Sequence, residues 1–436
     1  MGHLERHAPA CDNISHKCKY RSLLSEVTRK QLAGMSVGLG PVKEFTGIEF
    51  FKQFESKRPS MRDVVGSSCL PHFDEYVMIG DIHGDMLALL GVLAASGAID
   101  EEGNWLPPPN GNTRCFIQLG DLLDRGGRGS ASRDTSGNPH EEVNLMQYTY
   151  ELNAAAWAQS RSRVVTVSGN HEYYALEGAK NPEAYASFNY ATAATQCPAK
   201  GMDRTAFFSN MGVRAYMATA RPVMVVTPTG WVCAHGDINA EHLAKFLKSA
   251  APLVAELHAK TSARWVDAVV GATNLLWAAH VLPEAFRERL RAFLNGNESR
   301  KLETGKLSGW VKTVLTCRSL SKLEEAESSN PQPSRCKTAV QALERLLRVD
   351  WSRTGGVCLG HSVKDDVSSA CSFRFLFLDV GLSEGFHGFS GGVVAFARIG
   401  HSESVRVTTV RGDAAGSSEA HFDKPVLVTS GPAEIK

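Results

Sequence analysis

Five short apolar runs in this chain each stop on a glycine or histidine beside a polar residue. They are Tyr76–Ile79 before Gly80-Asp81, Cys115–Leu119 before Gly120-Asp121, Val164–Val167 before Gly169-Asn170, Trp231–Ala234 before His235-Gly236, and Gly356–Leu359 before Gly360-His361. Runs of this length that are apolar on both faces read as buried strands. Open α/β sheets bind ligands beyond the carboxyl ends of their strands, where these polar groups stand. Phe373–Asp379, Gly392–Ile399 and Ser404–Val410 add further strand-like runs. Helical stretches fill the intervals. Asp85 is placed to cap a helix over Met86–Ala95 that Gly97 ends, and Leu145–Gln159 and Glu241–Leu294 are also helical in pattern. Gly126–His140 and Glu324–Cys336 are rich in turn formers and read as loops. The fold class is α/β, organised as an N-terminal extension over 1–70 (helical patches at Tyr20–Met35 and Phe45–Glu55), one large domain over 71–412 and a polar tail over 413–436.

Composition narrows the function classes. With 43% apolar and 21% charged residues, the chain of 436 residues is globular rather than disordered or fibrous. Its 47 Lys+Arg and 46 Asp+Glu leave a net charge of +1, which gives no electrostatic reason to expect a nucleic acid or an anionic membrane as partner. No apolar run reaches 18 residues; Val266–Leu282 comes nearest and is broken by Asp267, Thr273, Asn274 and His280. The first residues lack a signal-peptide core, so a soluble cytoplasmic protein is expected. Ten cysteines without a CxxC are too sparse for a disulfide framework, and reduced thiols are expected. Cys11 and Cys18, near His7 and His16, fit no standard zinc spacing.

Three of the strand ends carry dense chemistry. Asp81 and His83, two apart at a strand end, can reach one cation. Gly120-Asp121-Leu122-Leu123-Asp124-Arg125 supplies a carboxylate able to bridge two metals, a second carboxylate, and a guanidinium suited to phosphate. Gly169-Asn170-His171-Glu172 sets an amide oxygen beside an imidazole able to act as acid or base. His235 and His361 complete a mixed N/O set for two divalent cations.

GDIHG, GDLLDRG and GNHE, followed by the single-histidine motifs, resemble the calcineurin-like metallophosphoesterases, in their phosphoprotein phosphatase branch. The continuation from Tyr173 to Glu177-Gly178, the segment Trp231–Asp237, and the stretch from Ser369-Ala370-Cys371 to Leu378–Ser383 are similar to the Shewanella-like protein phosphatases. That resemblance spans about residues 75–390 and implies a central β-sandwich flanked by helices, with a dinuclear metal site at the strand ends. By motif, Asp81, His83 and Asp121 would hold one metal. Asp121 would bridge to a second, held also by Asn170, His235 and His361. Arg125 and Asn170 would bind phosphate, His171 oriented by Asp124 would be the general acid, and Glu172 would support the ligands from behind. Arg318, in a segment with Trp310, is the candidate second phosphate-binding arginine. The implied reaction is attack of a metal-bridging hydroxide on a phosphomonoester of a phosphoprotein, serine or threonine by default. Phosphotyrosine, dinucleoside polyphosphates and other small phosphoesters remain alternatives, as does a catalytically dead binding protein. Mn²⁺ is the expected metal, with Fe and Zn²⁺ compatible with the same ligands. Asp237 stands where the family has glycine, Ser362 replaces a threonine, and the interval of 49 residues from Asp121 to Asn170 exceeds the common form.

Overall fold

The structure is a computed structural model, and it describes residues 45–56, 60–100, 102–124, 141–178, 204–261, 263–282, 288, 290, 306–329, 333–352, 354–364, 367–382, 393–400, 405–411, 421–422 and 426–428. Arg125, the Gly126–His140 segment and the Tyr20–Met35 patch lie outside the described residues. In chain order the elements are α1 (Glu49–Glu55), α2 (Met61–Gly66), β1 (Glu75–Ile79), α3 (Met86–Ala95), β2 (Arg114–Gln118), α4 (Glu141–Ser160), β3 (Arg163–Thr166), α5 (Asn170–Gly178), α6 (Arg204–Ser209), α7 (Met211–Ala220), β4 (Met224–Val226) and β5 (Trp231–Ala234). They continue with α8 (Ala240–Ser249), α9 (Ala251–Thr261), α10 (Trp265–Val281), α11 (Lys306–Thr316), α12 (Ser319–Ser329), α13 (Pro333–Leu347), β6 (Gly356–Leu359), β7 (Ser368–Ala370), β8 (Phe375–Phe377), β9 (Val393–Gly400), β10 (Val405–Arg411), β11 (His421–Phe422) and β12 (Val426–Val428).

The strands form two mixed sheets. One runs β11-β10-β9-β1-β2-β3 with β12 also on β10, and the other β4-β5-β6-β8-β7. In the first, β1, β2 and β3 are mutually parallel; in the second, β5, β6 and β8 are. Alternation along the strands gives each sheet two apolar faces. Tyr76, Met78, Cys115, Ile117 and Val165 pack with Val225, Trp231, Cys233, Cys358 and Leu376 in one buried cluster between the sheets. Their alternating neighbours Val77, Ile79, Phe116, Val164, Val232, Val357 and Phe375 join the larger cluster with the helices. The architecture is therefore the helix-flanked sandwich that the motifs imply.

Local chemistry explains several boundaries. Asp85 accepts from the Ala88 N–H at 3.0 Å and starts α3, and Gly97 at φ +67° follows its end. Within the segment read as an extension, the described residues from 45 onward contribute to the core: Phe50, Phe51 and Phe54 of α1 are buried edge-to-face against Tyr150, Phe207 and Tyr216. Burying each such ring is worth roughly 1.5–3 kcal/mol. At the other end, β11 and β12, within the segment read as a tail, pair with β10.

Two expectations are corrected. Glu324–Cys336, read as a loop, is mostly helix: α12 runs to Ser329, and Pro333 opens α13 at the first helical position, where its missing N–H is harmless. The cysteines are not all reduced, because Cys336 of α13 is disulfide-bonded to Cys371 in the turn between β7 and β8. Their separation of 35 positions matches no recognisable spacing, and only the fold brings the pair together. Among the described residues no helix is long and apolar enough to cross a membrane.

Candidate metal centre

Each parallel trio of strands delivers its carboxyl ends to one edge of the sandwich. From β1 come Asp81 and His83, from β2 Asp121 and Asp124, and from β3, through Gly169, Asn170 and His171 at the start of α5. The second sheet adds His235 after β5, His361 after β6 and Asp379 after β8. The loops are zipped by backbone bonds: Ile82 and His83 N–H donate to the Asp121 carbonyl, and Gly360 N–H to the His235 carbonyl. Glycine is required where strands meet ligands. A Cβ on Gly360 would lie 2.5 Å from Asp81 Oδ1, and one on Gly120 2.7 Å from His235 Nδ1; one on Gly169 would overlap Asp121 Oδ1. His83, Asp121, Asp124 and His361 all adopt left-handed φ (48°, 49°, 63° and 65°), each costing about 1–3 kcal/mol unless neighbours impose it.

The ligating atoms form two clusters that share Asp121: His83, Asp121 and His171 in one, and Asp121, His235 and His361 in the other. Asp121 Oδ2 is 3.8 Å from His83 Nε2, 3.6 Å from His171 Nε2 and 3.2 Å from His235 Nε2, while Oδ1 accepts from the His171 N–H. Asp81 Oδ2 is 3.7 Å from His83 Nε2, and Asp81 Oδ1 accepts from the His361 N–H at 3.1 Å. Asn170 Oδ1 lies 2.8 Å from His235 Nε2. All six expected metal ligands thus meet in one place.

The donor set fits cations. His235 Nδ1 donates to the Leu119 carbonyl at 2.9 Å, and His361 Nε2 to the Thr316 carbonyl at 3.2 Å. Carbonyls that fix one ring nitrogen in this way leave the other as a lone pair for a metal. His235 Nε2 then faces two oxygens, from Asn170 and Asp121; burial opposes a charge on this ring, yet Asp121 and the Leu119 carbonyl raise its pKa, so the place favours a positive charge, whether a proton or a metal ion. The electrostatics agree. Burial, then Asp379 and Asp121, push Asp81 well above the carboxylate range. Burial opposes the charge on Asp121 too, yet His171, His235 and His83 hold it well below that range. Burial and His235 push His361 down to about 2, so this imidazole is neutral, the form that binds metal.

Other residues brace this centre. Glu172, fully buried, accepts from the N–H groups of Gly169, Asp121, Leu122 and Leu123, which ties the β2 and β3 loops together. Arg221, equally buried, sits 3.3 Å from Glu172 and donates to the Val167 carbonyl. His171 Nδ1 is 2.8 Å from Asp124 Oδ2, and Asp124 Oδ1 is paired with Arg204, whose other Nη donates to Glu142 at 2.8 Å. Sequence reasoning anticipated Glu172 but missed Arg204, Glu142, Arg221 and Asp379. Arg221, two positions before the apolar run Val223–Val226, carried a weak local signal; Arg204, between Asp203 and Thr205, carried none. Arg318 is at the rim, where its Nη2 donates to the His361 carbonyl at 3.1 Å. Asp237 is buried and engaged with the backbone: its Oδ2 accepts from the N–H groups of Leu320 and Ser321 at the start of α12.

Residues 76–291 match the family model of the calcineurin-like phosphoesterases. Over 125 residues the chain is 27% identical to Shewanella-like protein phosphatase 2 of Arabidopsis thaliana, covering 29% of this chain and 27% of that protein. Over 102 residues it is 32% identical to Shewanella-like protein phosphatase 1 of Plasmodium berghei (strain Anka), covering 23% of each. The matched stretch spans about a quarter of the length of these relatives. Among solved structures, the cold-active protein-tyrosine phosphatase of a psychrophile Shewanella species aligns with a TM-score of 0.46 at 15% identity, covering 85% of this chain and 84% of that one. The stretch 76–291 thus matches a calcineurin-like phosphoesterase domain over just under half of the chain.

Proposed function

We propose that this chain is a metal-dependent protein phosphatase that hydrolyses phosphomonoesters, with phosphoserine and phosphothreonine as substrates. The observation that carries the reading is Asp121, shared by two clusters of cation-ligating atoms, with a histidine–carboxylate dyad alongside. Asp81, His83 and Asp121 would hold one divalent cation, and Asp121, Asn170, His235 and His361 the other. Two cations bound there supply Lewis acidity toward phosphate oxygens and lower the pKa of water. The protein's own residues do the rest. The Asn170 amide and Arg125 orient the phosphate, with Arg318 reaching in from the rim. Asp124 accepts from His171 Nδ1, so Nε2 is the nitrogen that faces the site and gives its proton to the departing alcohol oxygen as the P–O bond breaks. The protein substrate is supported by the two relatives, both protein phosphatases by name.

Purified protein loaded with Mn²⁺ should turn over phosphoserine and phosphothreonine peptides with higher kcat/KM than phosphotyrosine peptides or diadenosine tetraphosphate. A tenfold preference for phosphotyrosine, about 1.4 kcal/mol of transition-state binding, would overturn the serine/threonine assignment. Absence of turnover on every substrate, with both metals confirmed by elemental analysis, would overturn the enzymatic one.

A further inference from the structure

Asp124 is unusually constrained for a residue whose assigned task is to orient one imidazole. Its backbone is left-handed at φ +63°. Its N–H donates to Glu142 Oε1 at 2.8 Å, Glu142 Oε2 accepts from Arg204 Nη1 at 2.8 Å, and Arg204 Nη2 returns to Asp124 Oδ1. The three groups close a ring, all of them buried, with Arg204 6% exposed. Asp124 Oδ2, outside the ring, meets His171 Nδ1 at 2.8 Å. Arg204 is itself fixed, its guanidinium lying 5.1 Å over the Phe208 ring one turn along α6.

A carboxylate can rotate about its terminal bond and exchange its oxygens, so a lone Asp124 would orient His171 loosely. A guanidinium fork joined to both Asp124 and Glu142 removes that freedom, because its N–H groups are planar and fixed relative to each other. We infer that Arg204 is a positioning residue for proton donation: through Asp124 it sets the orientation and tautomer of His171 without touching substrate or metal. This rests on the general-acid role proposed above for His171.

The test compares alkyl and aryl esters, because a poor leaving group needs the proton and a good one needs it less. Arg204→Met, with both metals present, should lower kcat on a phosphoserine peptide about 10- to 100-fold, the usual effect of losing a residue that orients a site group. On p-nitrophenyl phosphate the loss should be several-fold smaller. In a His171→Ala background, Arg204→Met should cause no further loss on the peptide, since the group through which it acts is gone. Equal losses on both esters, or an undiminished loss in the His171→Ala background, would overturn the inference. If His171→Ala alone fails to discriminate the esters, the general-acid reading fails instead, and the two failures are distinguishable. Should Arg204→Met not fold, Glu142→Gln/Arg204→Met removes one charge of each sign from the ring, and the same comparison of esters applies.

Discussion

The two sheets contribute unlike halves to one site. The half built on β1–β3 brings the carboxylates Asp81, Asp121 and Asp124, and it is braced by buried ions: Glu172 with Arg221, and Glu142 with Arg204. The half built on β5, β6 and β8 brings the imidazoles of His235 and His361, each held by a backbone carbonyl, with Asp379 the one carboxylate it adds at these strand ends. The difference follows from charge. Carboxylates drawn out of water need compensating cations, and those cations must themselves be buried and paired. Imidazoles can ligate in the neutral form, which is that of His361, and one backbone carbonyl on each ring fixes which nitrogen is free. Changing a buried charge in the first half should therefore do more damage than adding a methyl group in the second.

Asp121 belongs to both halves, so its loss should be the most severe. Asp121→Asn is expected to empty both metal positions and lower kcat/KM at least about 10³-fold, in keeping with the several kcal/mol that metal ions contribute. His83→Ala should chiefly weaken the first position and His361→Ala the second. Elemental analysis of the three purified variants checks this, and equal full occupancy in all would show that Asp121 is not shared.

Next in size is a pair that sets the halves against each other. Glu172→Gln keeps the shape but leaves the fully buried Arg221 without its counter-charge, at a cost of about 3–5 kcal/mol in unfolding free energy. Gly360→Ala changes no charge; its Cβ would meet Asp81 Oδ1 and the Leu119 carbonyl, a crowding worth about 1–3 kcal/mol together with weaker metal binding. Urea denaturation of both variants gives the ranking. If Gly360→Ala proved the more damaging to stability, the greater weight given to the buried charges of the first half would not stand.

The uneven legibility of this site in the sequence has the same origin. Asp81, His83, Asp121, Asn170, His235 and His361 could be read because each ends a strand-length apolar run, and local pattern marks such ends. Met86–Ala95 could be read because capping involves neighbours three residues apart. Arg204 could not, since its partners Glu142 and Asp124 are 62 and 80 residues away and no periodicity links them. The Cys336–Cys371 bond was hidden for the same reason. In Glu324–Cys336, the Ser, Asn and Pro cluster masked helix formers on one side and a proline-initiated helix on the other. Asp237 stands between these cases: its departure from glycine was visible, but its direction depended on where α12 begins.

That residue gives the smallest expected effect, and it tests whether the carboxyl that joins the imidazole half to α12 is uncharged. Burial raises the Asp237 carboxyl to about 7, against the opposing pull of the Leu320 and Ser321 N–H groups. In the unfolded chain the same carboxyl titrates near its ordinary value of about 3.9. The folded state therefore holds a proton that the unfolded state has released across the window from about pH 4 to 7. Stability from this group is fully present below that window and is lost as pH rises through 7. Between pH 6 and 8 the loss amounts to about 1.4 kcal/mol for one such group. Asp237→Asn cannot titrate, and every other pH effect, including any on metal binding, is common to both proteins. Unfolding free energies from urea at pH 6, 7 and 8 should thus show the wild type losing ground to Asp237→Asn as pH rises. A constant difference would mean that Asp237 is already ionised at pH 6, and that the imidazole half carries a buried charge at α12 after all.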